Sequence, residues 1–426
     1  MTQFAAAQFA KRTRAQQAAA VVGVDAGKFE HTLVVRPRGG ADRPPFSFPT
    51  TRAGYDRAAD VILAAAGGAT PPEILVGIEF AGVYGFTLAH YLRDRGFAIQ
   101  SVLPAHTKRW KLVQHNQLLK TDAKDAAVIC DLAAQGRYVS FPFLQQEYAE
   151  LRYLTSRRER LTVLRNGAIA RLRSALQVVF PELETIFGDL SKPTARALLA
   201  TYPGPQELLA APRARVKKLL REASRNHGVD ATYAALLAAA QTTLALPGAQ
   251  GAQREEIPLL VAQLELAQQQ LKLTEQRMAT ALAALPEAPC LLSIPRVGVP
   301  TAAAFLGAIG DPRAYHSARE ILKLAGLSLV EHSSGTVRGR RRLSKSGRPD
   351  LRRMAYMLAV GSVHTGQGRP APGLFRAEYE ALLARNGGRK IPALVAVARS
   401  ALKLMYSIAR DRRMFTPEPP GRGRAA

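Results

Sequence analysis

The period of apolar and polar positions changes three times along this chain. From Val21 to about Val139 short β-rich runs alternate with amphipathic stretches. The pattern predicts strands at Val21–Val24, His31–Arg36 and Phe46–Thr50, with the Pro/Gly-rich Pro37–Pro45 as a turn between the last two. A helix follows from Thr51 to Ala66, with Thr50 or Thr51 as cap. Ile74–Ile78 predicts a fourth strand ending at Glu79, Phe86–Asp94 a helix stopped by Gly96, and Phe97–Val102 a fifth strand before Pro104. Asp122–Ala134 reads as a helix. Three antiparallel-type strands followed by βαβ units is the order of a ribonuclease-H-like sheet, and sites in open α/β sheets form at the carboxyl ends of strands.

Beyond Leu144 the period becomes helical. Leu151, Leu154, Leu161, Leu164, Ala168, Leu172, Leu176 and Val179 recur at three- and four-residue steps, predicting one long helix to about Phe180. Arg152, Arg157, Arg158, Arg160, Arg165, Arg171 and Arg173 occupy its other faces. A second long helix runs from about Glu255 to Leu285, with Leu264, Leu271, Met278 and Leu285 at heptad spacing. A coiled coil and an ordinary helical bundle both satisfy this pattern. Between the two helices, residues 183–253 read as an insert of short helices broken at Pro203-Gly204-Pro205 and Pro247-Gly248. From Pro289, Leu292–Ala302 leads into an apolar helix, Ala303–Ile309. This resembles a helix-hairpin-helix, whose turn presents backbone N–H groups to phosphate oxygens, although Arg296 stands at the usual first glycine. A plain helix–turn–helix packing element is the alternative.

The expected organisation is therefore α/β plus all-α. It comprises a basic arm at 1–20 expected to be flexible, an α/β domain at 21–143, and a helical linker domain at 144–288 carrying the insert 183–253. A helical domain at 289–414 and a disordered tail at 415–426 complete it.

Charge narrows the partner class. The 426 residues include 59 Lys+Arg against 33 Asp+Glu, a net charge of +26, which points to a polyanion. The arginine-rich run offers Arg338, Arg340, Arg341, Arg342, Lys345 and Arg348, followed by Arg352 and Arg353 on a helix, as nucleic-acid-binding residues. No apolar run reaches the ~20 residues that span a bilayer. The start lacks a signal-type apolar region, so no membrane and a cytoplasmic location are expected. Cys130 and Cys290 lie far apart in apolar contexts and are expected to be free and buried.

Against this basic background a few acids stand out. Asp122 and Asp125 lie one turn apart on one helix face, where like charges cost stability unless a cation relieves them. They also suit a helix start capped by Thr121, without any ion. Asp25 and Glu79 each fall at the end of an apolar strand. Together, Asp25, Glu79, Asp122 and Asp125 form an all-oxygen donor set for one or two Mg²⁺ ions. Two such ions about 4 Å apart stabilise the attacking and leaving oxygens at a phosphodiester. Ser333 and Ser334, before Gly335 and the arginine-rich run, are candidate nucleophiles toward phosphate, or else turn residues.

These segments carry a resemblance. They are Val22-Gly23-Val24-Asp25 with Lys28, Glu79, Lys120-Thr121-Asp122-Ala123-Lys124-Asp125-Ala126, Ile294-Pro295 with Val297-Gly298, and Ala325-Gly326-Leu327. Ser333-Ser334-Gly335, Leu343-Ser344-Lys345-Ser346-Gly347 and Leu351-Arg352-Arg353 follow in order. The chain resembles the DEDD-type insertion-sequence transposases of the "one-ten" family, related to Piv-type DNA invertases. The resemblance implies a RuvC-like N-terminal domain, a coiled coil, and a C-terminal transposase domain. It implies that Asp25, Glu79, Asp122 and Asp125 hold Mg²⁺ and that Ser334, or Ser333 one position away, attacks DNA to form a phosphoserine link. It also implies donor and target DNA as substrates, a bridge RNA that supplies sequence specificity, and a homo-oligomer, dimer or tetramer. A RuvC-like junction resolvase would use the same acids and no serine, and a non-catalytic nucleic-acid-binding scaffold would need neither. A sugar kinase would want a second phosphate loop, which the sequence lacks.

Overall fold

The computed structural model describes residues 3–80, 82–115, 121–141, 143–245, 251–331, 342–363 and 375–416. The chain divides into two compact units, Met1–Phe143 and Leu144–Ala426.

The first unit is built on a six-stranded sheet: β1 (Ala20–Ala26), β2 (Glu30–Pro37), β3 (Phe46–Pro49), β4 (Ile74–Glu79), β5 (Ala98–Val102) and β6 (Val139–Ser140). Their spatial order is β3-β2-β1-β4-β5-β6. The first three pair antiparallel, β1, β4 and β5 run parallel, and β6 returns antiparallel to β5. Helices α1 (Gln3–Gln17), α2 (Arg52–Ala65), α3 (Phe86–Asp94), α4 (Pro104–His115) and α5 (Asp122–Ala134) surround it.

The two-residue period of the strands sorts the side chains by face. Val22, Val24, Leu33, Val35, Val76 and Ile78 pack with Ala58, Ile62, Leu88 and Leu92 of α2 and α3. Val21, Val34 and Leu75 pack with Ala126, Ile129, Cys130 and Ala133 of α5. Gly23 lies against the second face. A Cβ there would stand 2.2 Å from Ala126 O and from Cys130 N, so α5 rests directly on the backbone of β1. Thr51 caps α2, its Oγ1 accepting from Gly54 N at 3.1 Å. Both cysteines are free and buried, and burial pushes the Cys130 thiol up to about 12.

Two features of this unit correct the sequence-based expectation. The basic arm at 1–20, expected to be flexible, is the helix α1. Gln8 Nε2 donates to Gly136 O at 3.1 Å, Lys11 Nζ to Tyr138 O at 2.9 Å, Tyr138 Oη to Lys11 O at 3.2 Å, and Ala15 is buried. Contacts over 127 positions in sequence leave no local signature. Helix α4 also escaped, because its charged and apolar residues show no clear period after Pro104.

In the second unit, α6 (Gln146–Val179) and α12 (Gly251–Ala283) pack along each other. Leu151, Leu154, Leu161, Ala168, Leu172, Leu176 and Val179 are buried on α6, and Leu264, Ala267, Leu271, Thr274, Met278 and Leu282 on α12. Leu164, expected in the apolar stripe, is 61% exposed. The insert forms α7 (Leu183–Phe187), α8 (Pro193–Thr201), α9 (Pro205–Ala210), α10 (Arg213–Ser224) and α11 (Val229–Thr242). It shares a core with the C-terminal part of α6 and the start of α12, through Leu172, Leu176, Ile257 and Val261. A second core joins the opposite ends of the long helices to α13 (Ala288–Leu292), α14 (Val299–Ile309), α15 (Ala318–Leu324), α16 (Pro349–Val363), α17 (Arg376–Arg385) and α18 (Lys390–Asp411). The short strands β7 (Leu329–Val330) and β8 (Arg342–Leu343) pair antiparallel beside it. Residues 144–288 and 289–414 thus belong to one compact unit.

Helix α18 is long and apolar enough by composition to cross a membrane. Its Ala393, Val397, Ala401, Leu402 and Met405 are buried in the core against α15–α17. Glu287 is fully buried at the start of α13. Its Oε1 takes Arg412 at 2.8 Å and its Oε2 accepts from Tyr148 Oη at 3.3 Å, tying α18 to the start of α6.

Candidate functional site

The same strand period that builds the core places two acids. On β1, Asp25 follows Val21 and Gly23 on the face toward α5, and on β4, Glu79 follows Leu75 and Gly77 on that face. The strands are parallel and in register, so Asp25 and Glu79 are direct partners at adjacent carboxyl ends. Helix α5 supplies the rest. Thr121 is its N-cap, its Oγ1 accepting from Lys124 N at 3.3 Å, which sets Asp122 and Asp125 in the first turn. These aspartates begin a helix capped by Thr121, and they line a cleft with other acids.

All four acids line one cleft of about 530 Å³, together with Lys28, Glu30, Thr32, Tyr84, Thr107, Lys108 and Lys111. Their mutual influence is marked at Asp25, whose pKa is raised to about 6. Burial is the largest cause, followed by the charges of Asp125, Asp122 and Glu79, while Lys111 acts the other way. Asp125 is only 7% exposed. Its Oδ1 lies 2.5 Å from Lys111 Nζ, yet in an orientation that gives it no hydrogen bond. Among the described residues, no three carboxylate, imidazole or thiol side chains stand close enough to hold an ion jointly as placed.

The donor set nevertheless suits a hard divalent cation: oxygen ligands only, an open cleft, mutual repulsion, and a buried carboxylate oxygen without a hydrogen bond. Asp25, Glu79, Asp122 and Asp125 would hold it after side-chain movement toward a shared centre. Of the cleft lysines, Lys28 belongs to a segment the sequence singles out, and Lys108 and Lys111 were missed. Lys108 and Lys111 belong to α4, the helix without a readable period.

The basic residues singled out in the second unit divide into two groups. Arg348 pairs with Asp350 at 2.6 Å, Arg353 pairs with Glu159, and Arg352 Nη1 donates to Ala325 O at 3.0 Å and Lys345 O at 3.3 Å. On α6, Arg158 pairs with Glu275 at 2.6 Å, and Arg152 donates to Gly307 O and Ala308 O at the end of α14. These groups hold the fold. Arg342 and Lys345 are exposed. Ser333, Ser334, His332, Arg338, Arg340 and Arg341 lie outside the described residues, as does Lys120. Two flanking motif segments meet: Ser344 N donates to Ser328 O at 2.9 Å, and Lys345 N to Gly326 O at 3.0 Å. At the hairpin-like turn Arg296 takes a left-handed conformation, φ +69°, in the place where the motif usually carries glycine.

Comparison with known proteins gives the class. A family model described as "Transposase" matches residues 22–181, spanning the acidic cleft. A second, described as "Transposase IS116/IS110/IS902 family", matches residues 288–371. An insertion element IS110 protein of Streptomyces coelicolor is 28% identical over 94% of this chain and 96% of its own length. An insertion element IS900 protein of Mycobacterium paratuberculosis is 30% identical over 70% of this chain and 73% of its own. The pilin gene-inverting protein of Moraxella bovis is 32% identical over 30% of this chain and 38% of its own. The chain is a transposase-class protein. It belongs to the IS116/IS110/IS902 transposase family.

Proposed function

We propose that this protein cuts and exchanges DNA strands as the recombinase of an insertion sequence, using the acidic cleft as a Mg²⁺-dependent phosphoryl-transfer site on a RuvC-like fold. The observation that carries the reading is the meeting of Asp25, Glu79, Asp122 and Asp125 in one cleft, from three elements spread over a hundred positions. The strand order supports the fold assignment, since a ribonuclease-H-like sheet has the same antiparallel-then-parallel sequence. A divalent ion bound there would supply positive charge to the attacking and leaving oxygens of a phosphodiester. Asp25 and Glu79 orient from rigid strand ends, and Asp122 and Asp125 from a capped helix turn. Lys28 and Lys108 at the cleft give a phosphate oxygen a cationic partner.

In this reading Ser334, with Ser333 as the alternative, is the nucleophile of strand exchange. Its Oγ forms a bond to phosphorus as the bond from phosphorus to a deoxyribose oxygen breaks, and the serine proton ends on that oxygen. Sequence choice is delegated to a bridge RNA pairing with donor and target DNA, while the protein holds backbone and shape. The active form is a homo-oligomer, dimer or tetramer, joined in part by a coiled coil of the long helices, in the bacterial cytoplasm on the nucleoid.

The test is Mg²⁺-dependent cleavage and strand exchange by the full chain. Asp122→Ala is expected to lower cleavage by about a hundredfold or more while leaving DNA binding intact. Ser334→Ala should abolish the covalent protein–DNA link and strand exchange. If that variant and Ser333→Ala both exchange strands normally, the serine step is wrong and a metal-only nuclease remains. Sequencing of RNA that copurifies with the protein checks the guide.

A further inference from the structure

The cleft already contains a cation, and it belongs to the protein. Lys111 reaches from α4, an element separate from the four acids, and sets its ammonium 2.5 Å from Asp125 Oδ1. Both side chains are largely buried, at 16% and 9% exposure. A lysine in such a position is more than a surface ion pair, because little water screens it. Yet the contact is not a directed hydrogen bond, and Asp125 Oδ1 has none. The ammonium balances charge in the cleft.

We propose that Lys111 is the resident counter-ion of the acidic cleft, and that a divalent ion loads by displacing it from Asp125. This rests on the metal-site reading above and adds a residue to it. The carboxylates lining this space, Asp25, Glu30, Glu79, Asp122 and Asp125, repel one another, and at Asp25 the charges of Asp125, Asp122 and Glu79 add to the effect of burial. Lys111, paired to Asp125, relieves part of that repulsion. A divalent ion held by these carboxylates would take over the neutralising role, and its repulsion of the ammonium would weaken the hold of Lys111 on Asp125 Oδ1. The exchange makes metal affinity the difference between two competing cations. It also makes α4 a moving reporter, since Trp110 adjoins Lys111 and packs against the α5 side of the sheet.

The experiment uses the full chain, with Mg²⁺ and Mn²⁺ alone as probes. Trp110 is the single tryptophan, so its emission reads metal binding without any reaction. Lys111→Met is expected to bind Mn²⁺ about tenfold more tightly than wild type, the size of shift a removed neighbouring charge produces. Lys111→Arg keeps the competing charge and should bind close to wild type. In the wild-type chain, the rate of amine labelling at Lys111, read by mass spectrometry, should rise severalfold on adding Mn²⁺. This measurement needs no variant. If wild type binds Mn²⁺ while Lys111→Met binds equally or more weakly, or if Lys111 labelling does not change on binding, the exchange is refuted and the metal site stands. If neither chain binds either ion, the acidic-cleft reading fails and takes the exchange with it.

Discussion

At the scale of single residues the cleft is a compromise between chemistry and stability, and Asp25 carries much of the cost. Its pKa rises from 3.8 to about 6 in the folded chain, through burial and then the charges of Asp125, Asp122 and Glu79. Below pH 3.8 the carboxyl is protonated folded and unfolded, and it makes no difference to stability. Between pH 3.8 and 6 the folded chain holds a proton that the unfolded chain has released, so stability falls as pH rises and stays lowered above 6. Asp25→Asn removes that penalty. The variant should be more stable than wild type at pH 7.5 without metal, by about 1 kcal/mol once partial exposure is allowed for, and the gain should vanish toward pH 4. Urea melts at the two pH values check this. Added Mg²⁺ should narrow the gap at pH 7.5 by stabilising the wild type alone. The acids were legible because a charged residue at the end of an apolar strand is conspicuous. Gly23 was visible only as a gap in an apolar run, although its missing Cβ lets α5 bring Asp122 and Asp125 to Asp25. Lys111 was illegible, because nothing local distinguishes it from the other basic residues of α4.

At the scale of elements, what the sequence shows depends on whether burial repeats along the chain. Helices α6 and α12 were readable because their buried leucines recur, with Leu164 as the exception that falls outside the contact face. Helix α1 was not, since its anchoring bonds go to Gly136 and Tyr138 rather than to its own neighbours. The ion pair of the buried Glu287 is equally silent in sequence. It joins α13 to Arg412 at the end of α18 and to Tyr148 near the start of α6. Arg412→Ala leaves a fully buried carboxylate without its cation and should destabilise the chain, by less than the roughly 3 kcal/mol of a wholly buried pair because Arg412 itself is exposed. Arg412→Ala with Glu287→Gln should recover part of that loss, since a neutral amide still bonds the Tyr148 hydroxyl. If the single variant melts like wild type, the pair does not hold these elements together.

For the whole molecule the governing quantity is charge, and the structure separates arginines that hold the fold from cations free to meet a polyanion. A net charge of +26 predicts DNA affinity that falls linearly with salt on logarithmic axes, with a slope set by the phosphates neutralised. Counting every basic residue in the arginine-rich region would overstate that slope. Arg348 and Arg353 answer acids, and Arg352 answers the carbonyls of Ala325 and Lys345, binding together two segments that the sequence separates. Arg342 is exposed on β8. Arg342→Ala should therefore weaken binding alike on every DNA sequence, flatten the salt slope by about one unit, and leave the melting temperature unchanged. Arg352→Ala should do the reverse in kind: two carbonyls lose their donor, melting falls, and the slope measured on the folded fraction stays where it was. Binding isotherms at four salt concentrations, with a thermal melt of each variant, distinguish the two. Equal slope losses from both variants would mean that Arg352 leaves its carbonyls to meet phosphate, and that the region rearranges when DNA binds.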